Sequence, residues 1–121
     1  MQFAQKNFYK KLLGKVGETS AVKFLKKQGF KIVERNYKNM FGEIDIIATD
    51  GEYTVFIEVK TRSGDAFGTP AEAVDYRKRK KYARIAQAYI AHEGIYDKAV
   101  RFDVIEIENG KINHVKDAFS V

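Results

Sequence analysis

Glu43, Asp45, Glu58 and Lys60 have the side chains and the spacing that phosphodiester chemistry uses. Glu58 and Lys60 stand two apart in a run where Tyr53, Val55, Ile57 and Val59 alternate with Thr54, Phe56, Glu58 and Lys60. A strand with that alternation is half-buried and puts Glu58 and Lys60 on one face. Asp50-Gly51, just before it, is a hairpin signal, because a type I′ turn needs positive φ at both central residues. With those two residues in the turn, Thr49 faces Glu52, Glu43 lies opposite Glu58 and Asp45 opposite Phe56. Opposed residues share a face, so Glu43, Asp45, Glu58 and Lys60 converge. Carboxylates roughly 5 to 8 Å apart repel one another but can close on one divalent cation. Oxygen donors favour Mg²⁺ (or Mn²⁺) over zinc. Lys60 is placed to orient or help activate a metal-bound water, or to offset charge on a pentavalent transition state. Glu-x-Lys alone is commonly just a salt bridge on an exposed strand. It gains meaning here from Asp45, the hairpin register and a glutamate on a preceding helix.

That glutamate is Glu18. Lys15 to Gln28 reads as a helix stopped by Gly29, with Glu18 on the small, apolar face beside Gly14, Ala21, Val22 and Leu25. A carboxylate buried there needs a partner, a proton or a cation. Residues 1–13 form a basic, aromatic lead-in, and 14–121 a single domain. Phe30 to Asn36 and Gly42 to Thr49 read as strands, and Glu52 to Arg62 as a third. A second helix is expected from Pro70 to about Ala91, with Thr69 as N-cap and Glu72 three residues after the cap. Its apolar face carries Val74, Tyr82, Ile85 and Tyr89 together with Lys78, and its opposite side carries Arg77, Lys80 and Arg84. Strands near Val100 to Ile107 and Lys111 to Val115 flank an Asn109-Gly110 turn. The order of helix, three strands, helix and two strands predicts an α/β protein with a mixed sheet flanked by helices.

Composition sets outer bounds. With 22 Lys plus Arg, 16 Asp plus Glu and no cysteine, the chain excludes a disulfide framework, a zinc ribbon and a thiol nucleophile. No apolar stretch is long enough for a membrane span and no signal peptide is apparent, so the cytoplasm is expected. The charge is uneven: residues 1–41 hold 10 basic and 2 acidic residues, 42–75 hold 2 and 8, and 76–121 hold 10 and 6. A net positive protein attracts polyanions, and an acidic middle fits that role when a cation neutralises it.

Gly17-Glu18, Asn36-Tyr37, Gly42-Glu43-Ile44-Asp45-Ile46-Ile47, Phe56-Ile57-Glu58-Val59-Lys60-Thr61-Arg62, Phe67-Gly68 and Arg101-Phe102-Asp103 resemble the YraN family of bacterial predicted endonucleases. The match runs from about Gly14 to the C-terminus. That family is assigned to the PD-(D/E)xK nuclease superfamily, whose restriction-endonuclease-like core is shared with archaeal Holliday-junction resolvases. The resemblance implies that Asp45 is the aspartate of the second strand, and Glu58 and Lys60 the Glu-x-Lys of the third. Glu18 is similar to the first-helix glutamate of the resolvase branch, and Ile44 stands where a proline precedes the aspartate elsewhere. Glu43 belongs to the YraN pattern more than to the superfamily core, and Lys78 resembles a lysine of the second core helix.

The expectation is therefore a Mg²⁺-dependent nuclease acting on structured or branched nucleic acid, DNA before RNA. Asp45, Glu58 and, by resemblance, the Val59 carbonyl would hold the metal, with Glu18 contributing a further ligand or water contact from the helix. Arg62, Arg77, Lys80 and Arg84 would hold backbone phosphates. A homodimer is expected only by analogy with resolvases. Two rivals are a non-catalytic nucleic-acid-binding module on the same fold and a small assembly protein whose acidic hairpin meets a basic partner.

Overall fold

A computed structural model describes residues 2–62 and 75–120, with side chains from residue 12 onward. The elements are α1 (Gln2–Lys27), β1 (Lys31–Asn39), β2 (Gly42–Asp50), β3 (Tyr53–Arg62), α2 (Tyr76–Glu93), β4 (Ala99–Glu108) and β5 (Lys111–Val115). They form an α/β fold with one five-stranded sheet, ordered β1-β2-β3-β4-β5. Only β3 and β4 pair in parallel, so the sheet is mixed, as expected.

Each helix covers one face. Ala21, Val22 and Leu25 of α1 pack on Ile46, Val55, Ile57 and Ile105. Ile85, Ala86 and Tyr89 of α2 pack on Ile47, Phe56, Phe102 and Val104. The period-2 alternation of β3 and β4 thus feeds two cores. β3 was expected to be half-buried. Instead Thr54 through Glu58 are all buried, because a parallel pair inside a sheet carries a helix on each side.

Gly17 brings α1 close to the sheet. A Cβ there would overlap the Thr61 hydroxyl and come within 3.7 Å of Ile107 Cδ1. This contact seats Glu18 beside the far half of β3. The helix itself starts before Lys15, at Gln2, and continues through Gly14.

Other expectations need correction. Asp50 pairs with Tyr53, so the β2–β3 turn is Gly51-Glu52 and not Asp50-Gly51. Of these two, only Gly51 has positive φ, the Gly-X pattern of a hairpin turn. The Asn109-Gly110 turn stands as expected, with Glu108 paired to Lys111 and both central residues at positive φ. The β1 strand passes Asn36, which adopts φ 53, and ends only at Asn39. Asparagine tolerates that left-handed backbone better than most residues, so the strand kinks there without terminating.

The Thr69, Pro70 and Glu72 start of the second helix lies outside the described residues. Within them, α2 begins at Tyr76. Asp75 is extended, at φ −72 and ψ 174, and its carboxylate accepts from the Lys78 N–H at 3.0 Å. An aspartate that satisfies an otherwise unpaired helix N–H is a strong start. Gly94, in the left-handed conformation, closes the other end.

Candidate active site

Two strands that part create the site. β2 and β3 are paired from Asp50 and Tyr53 as far as Ile46 and Ile57. Beyond that point β2 still pairs with β1, and β3 with β4. In the fork, Asp45 Oδ2 accepts the Val59 N–H at 2.7 Å. A side chain thus takes a donor that continued pairing would have given to a backbone carbonyl.

The observed turn moves every cross-strand partner by two relative to the expected register. Carried into the fork, it sets Asp45 level with Glu58, where Glu43 opposite Glu58 and Asp45 opposite Phe56 were expected. Because side chains repeat every two residues, a two-residue change swaps partners and preserves faces. Alternation also breaks locally in β2: Ile44 and Ile47 both join the α2-side core, together with Tyr37 just after the Asn36 kink.

The structure gathers Asp45, Glu58, Lys60 and Lys78, with Glu18 near enough to act on Asp45. Glu58 is buried, and both cations approach the same oxygen: Lys60 Nζ is 3.2 Å and Lys78 Nζ 3.8 Å from Oε1. The other oxygen, Oε2, is buried with no hydrogen-bond partner among the described residues. Burial, together with the charges of Glu58, Glu18 and Glu43, pushes Asp45 up to about 6, against the pull of the Val59 N–H. Burial alone would lower Lys60, but Glu58 and then Asp45 hold it above the ordinary ammonium value. Lys60 is therefore a cation at neutral pH.

Tyr82 is a site residue that the sequence reading placed only on the apolar face of the helix. Burial and the charge of Glu58 beside it raise its hydroxyl above the ordinary phenol value and keep it protonated. Its signal was available: it follows Lys78 by four residues, so both reach the same strand position. Arg35 was also missed. Its Nε lies 3.5 Å from Glu18 Oε1 and its guanidinium donates to Thr19 Oγ1 at 3.4 Å, a partner for the otherwise buried Glu18.

Glu43 stays at the rim, its side chain 65% exposed and 3.7 Å from Lys38, and is the weakest of the charges acting on Asp45. Arg62 is half-buried, its Nε 3.3 Å from Glu106 of β4. Arg77, Lys80 and Arg84 are exposed along α2.

Among the described residues, no three His, Asp or Glu side chains form a ready metal cage. Mg²⁺ does not require one. It commonly uses one or two protein carboxylates and leaves its other positions to water and substrate phosphate. The unpartnered Glu58 oxygen and the destabilised Asp45 charge fit such an ion.

The opposite end of the sheet is built differently. Arg101 grips Asp103 through two bonds of 2.8 and 2.9 Å and reaches Asp50 at 3.0 Å. His114 Nε2 and the Asp117 N–H complete the Asp103 shell at 2.8 and 3.0 Å. The Arg101-Phe102-Asp103 motif is thus a buried, satisfied network joining β4, β5 and the β2–β3 hairpin.

Fold and site together define an α/β protein whose mixed sheet opens at Asp45 to gather carboxylates and lysines from both helical layers. The chain belongs to the uncharacterised protein family UPF0102, which matches residues 17–107, and so bears out the YraN resemblance. It is 44% identical to the UPF0102 protein of Persephonella marina over 108 residues, covering 89% of this chain and 93% of that one. Identity to the relative from Caldanaerobacter subterraneus is 45% over 121 residues, covering 94% and 99%. The Thermodesulfovibrio yellowstonii protein is 48% identical over 107 residues, covering 88% and 95%. Among the described residues no helix is long and apolar enough to cross a membrane.

Proposed function

We propose that this protein is a metal-dependent nuclease that hydrolyses phosphodiester bonds in nucleic acid, with structured or branched DNA as its preferred substrate class. The observation that carries the reading is a buried acid pair short of positive charge: among the described residues Glu58 Oε2 has no hydrogen-bond partner although two lysines crowd Oε1, and Asp45 is pushed up to about 6. Asp45, Glu58 and the Val59 carbonyl would hold Mg²⁺ or Mn²⁺, with Glu18 contributing from α1. When bound, the ion supplies Lewis-acid polarisation of the phosphate and a more acidic water.

The remaining work falls to side chains. A protonated Lys60 cannot accept a proton, so it orients water through its N–H groups and offsets charge developing on the phosphate. Lys78 balances Glu58 when the ion is absent and is free to face phosphate when it is present. Tyr82, beside Glu58 and held protonated, has a hydroxyl proton to offer that carboxylate. Exposed Arg77, Lys80 and Arg84 bind the backbone without reading sequence.

The test is cleavage of labelled linear, single-stranded, flap and four-way-junction DNA with Mg²⁺ or Mn²⁺, against an EDTA control. Glu58→Gln and Lys60→Ala should each lower turnover by about a hundredfold or more, as loss of a transition-state contact does. Cleavage that persists in both variants would sink the assignment. Salt-sensitive binding without turnover under any divalent ion would favour the non-catalytic module.

A further inference from the structure

The β1–β2 hairpin ends in Met40-Phe41, and both side chains face outward, Met40 88% and Phe41 37% exposed. The turn is nevertheless firmly built. Asn39 Oδ1 accepts from the Phe41 N–H at 2.9 Å, and Asn39 Nδ2 donates to the Ile85 carbonyl of α2 at 3.2 Å. Gly42, at φ +145, lets the Lys81 side chain pass where a Cβ would overlap it. Tight hairpin turns favour Gly, Asn and Asp, so two large apolar residues fixed at this tip call for a partner.

What surrounds the tip identifies that partner. A cleft of about 410 Å³ is lined by Phe41, Arg77, Lys80, Lys81 and Arg84, which is one ring, four cations and no carboxylate. None of these four cations has a carboxylate partner among the described residues, and Lys80 lies instead 4.7 Å from the centre of the Tyr76 ring. A second cleft shares Lys81 and leads past Gly42 to Glu43, towards the fork. Clustered cations attract a polyanion, and an exposed aromatic ring offers a stacking face. A nucleotide with an unpaired base satisfies both at once. A fully paired duplex supplies phosphates but no free base face.

We propose that this hairpin tip captures an unpaired nucleotide, its base on Phe41 and its flanking phosphates on Arg77, Lys80, Lys81 and Arg84, with Met40 wedged at the adjoining step. This rests on the nuclease reading and narrows its substrate to DNA interrupted by unpaired bases. From Phe41 to Asp45 the chain advances about 13 Å. That places the captured base roughly four base steps from the fork, at about 3.4 Å per step.

The test is fluorescence anisotropy in EDTA, so that turnover plays no part, using a labelled duplex and the same duplex with one bulged 2-aminopurine. The wild-type protein should bind the bulged DNA about tenfold more tightly and quench the 2-aminopurine, as one stacked base would produce. Phe41→Leu keeps apolar bulk but has no π face. It should abolish the preference and the quenching while changing duplex affinity less than about twofold, and Phe41→Trp should restore both. A wild-type protein indifferent to the bulge, or a preference that survives Phe41→Leu, overturns the proposal. If Lys80→Ala with Arg84→Ala still weakens binding to both DNAs in that case, the nuclease reading stands without the wedge. No binding to either DNA overturns the proposal, and the cleavage assay with Mg²⁺ or Mn²⁺ then decides the nuclease reading by itself. Self-association that Phe41→Leu disrupts, with DNA binding unchanged, would assign the tip to a second copy and also overturn it.

Discussion

At Asp45 the folded protein holds a carboxyl that resists ionisation, and the sign of its effect on stability follows. Its folded value of about 6 lies above the ordinary 3.8, so its favourable contribution is complete below about pH 4 and is lost as pH rises through 6. The loss amounts to at most about 3 kcal/mol. Asp45→Asn, which can still accept from the Val59 N–H, should therefore stabilise the metal-free protein at pH 8, checked by urea denaturation with EDTA. On the nuclease reading, Mn²⁺ should raise the melting temperature of the wild-type protein more than that of Asp45→Asn. An equal shift in both would remove Asp45 from the ion. Residue types made this position legible: Asp45, Glu58, Lys60 and Glu18 were identifiable from spacing, from burial on a helix wheel and from the family motif. Arg35 and Glu106 were not, because their partners come from elements distant in the chain and an isolated charge on a strand says nothing about what it meets.

Among the elements, the β2–β3 hairpin is where the sequence misled: Asp50-Gly51 was expected as the turn, but Asp50 pairs with Tyr53 and receives Arg101 at 3.0 Å, a distant partner that local sequence does not reveal. The grouping survived the error because both registers keep the same faces. At the second helix, Asp75 caps the described segment from Tyr76, while Thr69 and Pro70 lie outside the described residues. For α1, the decisive position is Gly17. An alanine there gains helix propensity but drives a Cβ into Thr61, an overpacking that should cost about 1–3 kcal/mol net. Thr61→Ala on that background should recover much of the loss. A Gly17→Ala variant as stable as wild type in chemical denaturation would show that the α1–β3 approach is looser than the geometry indicates.

Across the whole molecule, the two ends of the sheet carry opposite electrostatic character. Burial alone would raise Asp103, yet bonds from His114, Arg101 and the Asp117 N–H hold it below the ordinary carboxylate range. Its stabilisation is thus present above about pH 4 and disappears as pH falls through its lowered folded value. Asp103→Ala leaves Arg101 buried without its main partner and should cost about 3–5 kcal/mol at pH 7, whereas the wild-type acid limb should begin only below about pH 4. An acid transition unchanged in Asp103→Asn would place that sensitivity elsewhere. The net charge of +6 predicts, for nucleic-acid binding, an affinity that falls steeply between about 50 and 200 mM salt. Finally, among the described residues the two hydrophobic cores stay separate, because the sheet lies between them. Glu18 belongs to one layer and Lys78 with Tyr82 to the other, so the cluster straddles a seam between two separable cooperative units. A transient detachment of α1 removes an anion from the cluster. A detachment of α2 strips it of a cation and leaves Glu58 with Lys60 alone. Hydrogen exchange in the two helices would therefore report two distinct ways of dismantling one constellation, each long before the sheet itself gives way.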